Sequence, residues 1–333
     1  MNHEFDAVYY EPDVLDYPLG RALQDKYAHL AWTLIESHNR IPEFQTAENS
    51  EFARLKRHLV IGVRKTHKYQ ENHKVSDWLV PYTSSGCRAM CLYCYLVCNY
   101  NKCSYLRLFV NREQMMDRLL KVDAEAQAPQ TFEIGSNSDL VLENEITGNL
   151  VWTIEYFARY GRGRLTFPTK FDMVDALLPL DHGRKVVFRM SVNPEEIVRR
   201  IELGTSPLKE RVRALNAMRD AGYPVGILIA PVILLPDWRQ RYGDLIDYLS
   251  DALSEAVRRG AFIEIIFMTY GYVQNAINLE AFPGSLPLLD KEQMTGRGRG
   301  KYCYTAAARA EAETFLRERL SMKLPQMPIL YIV

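Results

Sequence analysis

Long hydrophobic runs are missing from this 333-residue chain. Its two richest apolar stretches, 224–235 and 261–268, fall short of the roughly 20 residues a membrane-spanning helix needs. The opening MNHEFDAVYYEPD is acidic where a secretory leader would be basic and then apolar, so a soluble cytoplasmic protein with no membrane partner is expected. Excess charge is missing as well. With 41 Lys plus Arg against 41 Asp plus Glu, the whole chain does not announce a nucleic-acid partner, and any such contact must come from a local patch. Repeats, low-complexity tracts and Gly/Ser/Pro linkers are absent, which favours one continuous domain. Cysteine is scarce, at six residues, yet five of the six fall within GCRAMCLYCYLVCNYNKC at 86–103. Disulfides between such close neighbours would close only short loops and stabilise little, so a metal-binding or reactive thiol cluster in a reducing compartment is expected.

What is present is a large apolar fraction, 47%, ample for a sizeable core. From residue 77 onward, β-rich runs alternate with amphipathic helix-like segments. The runs are WLVPYT at 78–83, TFEIGS at 131–136, RLTFPT at 164–169, KVVFRMSV at 185–192, PVGILIAPVIL at 224–234 and AFIEIIFM at 261–268. Helices are expected at 110–122, 147–160, 207–221 and 239–259, with apolar residues near i, i+3, i+4 and i+7. Right-handed crossovers would make this an α/β protein, a partial (β/α)6 TIM-like barrel. An N-terminal extension (1–76) packs on the barrel, the core spans 77–275, and a C-terminal helix and hairpin segment (276–333) contacts substrate. Chemistry in such barrels sits at the C-terminal ends of the strands, and the cysteine-rich stretch directly follows the first strand.

Cys87, Cys91 and Cys94 form C-x3-C-x2-C, three soft ligands in eight residues. Structural zinc normally takes four ligands from paired CxxC knuckles, whereas three thiolates would leave one iron of a [4Fe–4S] cluster open to a small molecule. The spacing resembles that of the radical S-adenosylmethionine (SAM, AdoMet) superfamily, in which an aromatic residue precedes the third cysteine, as Tyr93 does here. Cys98 and Cys103 lie outside that motif. Cys98 reads equally as a fourth zinc ligand, a small buried hydrophobe or a redox group.

Beyond the motif, the chain resembles the spore photoproduct lyases, radical SAM enzymes that repair a thymine dimer in spore DNA. The likeness runs through YYEPDVLDYPLGRAL, ESHNRIP, LVIGVRKT, GCRAMCLYCYL, YLRLFVN, PTKF, FRMSVNP, GTSPLKERVRALNAMRDAGYPVGILIAPV and GKYCY. The resemblance implies that Cys87, Cys91 and Cys94 hold the cluster and that Ser138, Asp139, Lys170 and Ser191 contact SAM. A carboxylate suits an ammonium or ribose hydroxyls, while Lys and Ser suit a carboxylate. It implies further that a 5′-deoxyadenosyl radical attacks the lesion, that a cysteine thiol returns a hydrogen atom to the thymine radical, and that Tyr93 and Tyr95 relay the radical back. A flavodoxin- or ferredoxin-type reductant would serve the cluster.

The chain departs from that family at one point. The position of the donor cysteine is Ser136, in EIGSNSDL, and a serine O–H bond is too strong to quench a carbon radical. Another thiol is then required: Cys98 first, three residues from Tyr95, then Cys303 in GKYCY, with Cys103 the remaining spare thiol. A lesion inside duplex DNA must be turned out of the stack, and phosphate contacts need a basic patch. GRGRGKY at 296–302 supplies Arg297, Arg299, Lys301 and Tyr302 in a hairpin-like pattern, and Arg64, Lys65 and Lys68 form a weaker second patch. The alternatives are a family relative acting on another nucleic-acid lesion and a non-catalytic zinc-bound DNA-binding protein.

Overall fold

Two adjacent runs of β-branched and aromatic residues near the N-terminus, DAVYY and HLVIG, build a sheet that strand–helix alternation further along does not foreshadow. In the computed structural model, which describes residues 5–98 and 104–333, the chain divides into two units. The first comprises Met1–Met90, Leu96–Phe167 and Leu180–Val186; the second comprises Cys91–Tyr95, Pro168–Pro179 and Val187–Val333.

The first unit carries a five-stranded sheet in the order Ala31–Leu34, Ala7–Tyr10, His58–Gly62, Leu106–Phe109, Ser84–Ser85. All neighbours are parallel except the last pair. The central strand His58–Gly62 is buried along its whole length, as a strand covered on both faces must be. Its Leu59 and Ile61 join Val8, Val14, Leu23, Leu106 and Leu108 in one core. The same unit holds a second parallel set, Trp78–Val80 beside Thr131–Ile134 beside Arg164–Thr169.

In the second unit Val186–Val192, Val225–Val232, Phe262–Phe267 and Ile329–Ile332 follow one another in parallel register. Every residue of Val186–Val192 is buried, so the sheet interior also takes charges, and Arg189 and Glu264 pair there at 2.9 Å. Past the end of Phe262–Phe267, Thr269–Gly271 begins a three-stranded antiparallel sheet with Lys301–Tyr304 and Met294–Gly298.

The six expected strands and four expected helical regions are all present, with two corrections to the helices. The 239–259 segment is two helices, Trp238–Ala252 and Glu255–Gly260, because Ser254 turns extended and its hydroxyl accepts the Val257 N–H as an N-cap. Ahead of Asn149–Tyr160 stands a further helix, Leu140–Thr147, and Gly148 separates the two at φ +66°, a left-handed conformation that glycine adopts without strain.

Candidate active site

The first unit presents Cys87 on a turn that only glycine permits. Gly86 sits at φ +77°, and a Cβ there would lie 1.9 Å from the Tyr105 carbonyl oxygen. The buried Lys56 ammonium fixes the turn from behind, donating to the carbonyls of Cys87 (2.6 Å) and Ser104 (2.9 Å) and to the Ser104 hydroxyl (2.7 Å). The Ala89 N–H donates to the Cys87 sulfur at 3.4 Å, an interaction that favours a thiolate.

Gly86 also bridges in parallel to Ser138, so the loop after Thr131–Ile134 lies alongside the first cysteine. Ser84 donates to the Ser138 hydroxyl at 2.7 Å. One Asp139 oxygen accepts the N–H groups of Val141 (3.2 Å) and Leu142 (3.3 Å), capping the helix that follows. Beneath this loop, burial pushes the Glu143 carboxyl above its usual range even though Thr83 (2.9 Å) and Asn149 (2.7 Å) donate to it.

The second unit holds the other two motif cysteines in a tight turn, with the Cys94 N–H donating to the Cys91 carbonyl at 3.0 Å. The segment between them is held on several sides. The Leu92 N–H donates to the Ile201 carbonyl at 2.9 Å, and Asn278 and Gln274 donate to the carbonyls of Leu92 and Tyr93 at 2.8 and 3.1 Å. The Tyr93 hydroxyl donates to the Glu202 carboxylate. Burial, reinforced by the Glu202 charge, holds the Tyr93 phenol well above the ordinary tyrosine range. Burial would raise Glu202 as well, but its ion pair with Arg211 at 2.7 Å, with Lys170 nearby and Asn193 donating at 2.9 Å, keeps it below the usual carboxylate range.

Lys170 stands 5.8 Å from the Tyr93 ring centre, which brings two of the expected residues together. Ser191 belongs to the same neighbourhood: its carbonyl accepts from Arg211 at 3.0 Å. Its buried hydroxyl, however, donates to the Ala230 carbonyl at 2.9 Å, so in this arrangement the hydrogen is not available to a cofactor carboxylate.

The basic hairpin is formed by Met294–Gly298 and Lys301–Tyr304, and its turn places Gly298, Arg299 and Gly300 at positive φ. Arg297, Arg299 and Lys301 are exposed, and the Tyr302 and Tyr272 hydroxyls bond to each other with their rings perpendicular at 5.4 Å. Cys303 is half-buried and pairs with Thr269, two residues past the end of Phe262–Phe267. Cys98 is exposed on a short turn, Tyr95 is half exposed at 51%, and Cys103 lies outside the described residues. The weaker basic patch does not form, because Arg64 donates to the Tyr82 carbonyl at 2.8 Å with its guanidinium 3.8 Å from the Phe109 ring centre.

The family model for spore photoproduct lyase matches residues 3–333. The spore photoproduct lyase of Bacillus subtilis strain 168 is 35% identical over 94% of this chain and 92% of its own length. That of a Geobacillus strain is 30% identical over 97% of each. The chain belongs to the spore photoproduct lyase family. A solved spore photoproduct lyase complexed with dinucleoside spore photoproduct superposes with a TM-score of 0.91 over 100% of both chains, at 28% identity. A doubly substituted form with bound AdoMet and the same dinucleoside also scores 0.91, covering 99% of each chain at 28% identity. This match assigns the mixed α/β, partial-barrel class expected from the alternation of strands and helices.

Against the lyase family, sequence reasoning missed the polar bed under Cys91–Cys94: Asn193, Glu202, Arg211, Gln274 and Asn278. These lie some 100 to 190 positions downstream, in segments whose local pattern reads as ordinary amphipathic helix or turn, and only the fold brings them under the loop. The five described cysteines are all unbridged. Among the described residues no three His, Cys, Asp or Glu side chains are grouped to hold a single metal ion. The donor set itself, three free and partly exposed thiols on loops with backbone N–H groups around them, suits an iron–sulfur cluster.

Proposed function

We propose that this chain is a radical SAM lyase that returns spore photoproduct in DNA to two thymines. The observation that carries the reading is the whole-length likeness to a spore photoproduct lyase with AdoMet and the dinucleoside lesion bound. Cys87, Cys91 and Cys94 would hold a [4Fe–4S] cluster. With AdoMet, that cluster supplies a 5′-deoxyadenosyl radical once a flavodoxin- or ferredoxin-type donor has reduced it.

The protein's own work is to position and to exclude. Ser138 and Asp139, beside Cys87, and Lys170, beside Tyr93, are the polar groups assigned to AdoMet. Asp139 serves at the same time as a helix cap, so its carboxylate is pre-oriented before any ligand arrives. The Glu202 carboxylate fixes the Tyr93 phenol and can take its proton if Tyr93 is oxidised in the relay that Tyr95 continues. Arg297, Arg299 and Lys301 supply phosphate contacts from an exposed hairpin, with Tyr302 beside them to stack on or wedge against bases.

When the bridge between the two bases breaks, the thymine radical needs one hydrogen atom, and Ser136 cannot give it. Cys303 is the better placed donor. It follows the C-terminal end of the Phe262–Phe267 strand, where barrel enzymes carry their chemistry, while Cys98 is exposed on a turn. The exchange is balanced: the S–H bond breaks, the C–H bond forms, and the thiyl radical passes to the tyrosines. Repair assays on Cys303→Ala and Cys98→Ala decide between the two. Loss of clean thymine, with trapped adducts, is expected for the first variant only, and the reverse pattern would transfer the role to Cys98.

Ser136 also favours a second reading, a family relative acting on a different nucleic-acid lesion. A panel of lesion-bearing dinucleotides offered with AdoMet under reducing conditions separates the two by which lesion is consumed.

A further inference from the structure

The segment between Cys91 and Cys94 is held by two buried amides that come from one helix nearly two hundred residues later. Tyr272–Ala281 places Gln274 and Asn278 at i and i+4, hence on one face, one turn apart. Gln274 is 4% exposed and Asn278 is 8% exposed. Asn278 Nδ2 donates to the Leu92 carbonyl at 2.8 Å and to the Tyr270 hydroxyl at 2.7 Å, while Gln274 Nε2 donates to the Tyr93 carbonyl at 3.1 Å.

Leu92 is itself only 2% exposed, and its N–H is already committed to the Ile201 carbonyl at 2.9 Å. Removing Asn278 would therefore leave a buried carbonyl with no partner inside the motif itself. Because a peptide plane is rigid, fixing the carbonyls of Leu92 and Tyr93 also fixes where the N–H groups of Tyr93 and Cys94 point. Those N–H groups are the dipoles nearest the two thiols, and hydrogen bonds and dipoles around ligating sulfurs set how tightly iron is held and at what potential it is reduced.

We propose that Gln274 and Asn278 are positioning residues for the iron-binding loop, holding Cys91 and Cys94 in the turn that receives the metal. The inference rests on the reading of Cys87, Cys91 and Cys94 as cluster ligands. Neither amide touches a reacting atom; both act through the loop backbone.

The test uses the full-length chain, anaerobically reconstituted with iron and sulfide, as wild type and as Asn278→Ala, Asn278→Asp and Gln274→Ala. Asn278→Asp keeps the side-chain shape and removes the donated hydrogen. Two readouts are independent of repair: the rate at which bathophenanthroline strips iron, and the electron paramagnetic resonance spectrum of the dithionite-reduced protein. Both Asn278 variants are expected to lose iron about 5- to 10-fold faster, the factor that one lost buried hydrogen bond implies, with altered g values. Gln274→Ala, which loses the longer bond, is expected to show a smaller change in the same direction.

Wild-type iron release and spectra in a folded Asn278→Asp protein would overturn the proposal. If neither Asn278 variant folds, Gln274→Ala decides it on the same readouts. A wild-type chain that takes up no iron would overturn the functional reading and this inference together, whereas iron held identically by every variant would overturn this inference alone.

Discussion

Replacing Arg211 by methionine is the sharpest test of the polar bed beneath the cysteine turn. Arg211 and Glu202 are both fully buried, with 0% side-chain exposure, and pair at 2.7 Å. Arg211 also donates to the carbonyls of Ser206 (2.8 Å) and Ser191 (3.0 Å) and to the Thr205 hydroxyl (2.6 Å). With the guanidinium gone, the Glu202 carboxylate keeps Asn193 and Tyr93 as donors but loses its buried cation. Breaking a buried pair from one side costs about 3–5 kcal/mol, most of it the penalty of the charge left behind. Removing that charge as well, in Arg211→Met/Glu202→Gln, should recover all but about 2 kcal/mol, because a matched apolar or neutral pair carries little desolvation debt. Urea unfolding followed by tryptophan fluorescence at pH 7.5 measures both. A single-variant loss under about 1 kcal/mol, or a double variant no better than the single one, would refute the claim that Arg211 is there to neutralise Glu202.

Three further outcomes follow from other parts of the molecule. Glu11 accepts from the His38 N–H (2.9 Å), the His38 ring (2.7 Å) and the Val63 N–H (2.8 Å); burial opposes its ionisation, but these donors hold its carboxyl below the usual range. Its contribution is therefore present above the unfolded value of about 4.3 and is lost as pH falls through the lower folded value, so Glu11→Gln should cost about 1–3 kcal/mol in urea unfolding at pH 7 and almost nothing near pH 3. Asp139→Ala should lose about 1 kcal/mol from the missing cap, whereas Asp139→Asn should keep the cap and still lose at least tenfold in AdoMet affinity by calorimetry; unchanged affinity would leave Asp139 as a cap alone. Arg297→Ala and Arg299→Ala should each lower the salt slope of duplex binding by about 1, and an unchanged slope would remove that residue from the DNA interface.

Much of the fold is legible in the sequence because its strands are buried on both faces. PVGILIAPVIL and KVVFRMSV are unbroken apolar runs bounded by turn residues, and such runs show without alignment. The N-terminal sheet is harder to see. Ala7–Tyr10 and Ala31–Leu34 are four residues each with mixed exposure, too short for either periodicity to declare itself. In the candidate site the cysteines and the basic hairpin are visible, because close spacing and repeated Arg–Gly steps are local signals. Glu202, Asn193, Gln274 and Asn278 are not, because a buried polar residue looks the same in sequence as a surface one until its partner is known. Arg64 shows the converse error: a basic residue in a basic run whose charge is spent on a carbonyl and a ring.

The measurement that bears most directly on the central claim is repair of dinucleoside spore photoproduct in deuterated buffer. The reconstituted chain would be incubated anaerobically with AdoMet and dithionite, and the products read by mass spectrometry. The account predicts that thymine returns with 5′-deoxyadenosine formed alongside it, and that the thymine carries solvent deuterium delivered through an exchangeable thiol. Iron-loaded protein that cleaves AdoMet yet releases no thymine, or that releases thymine without the label, would contradict it.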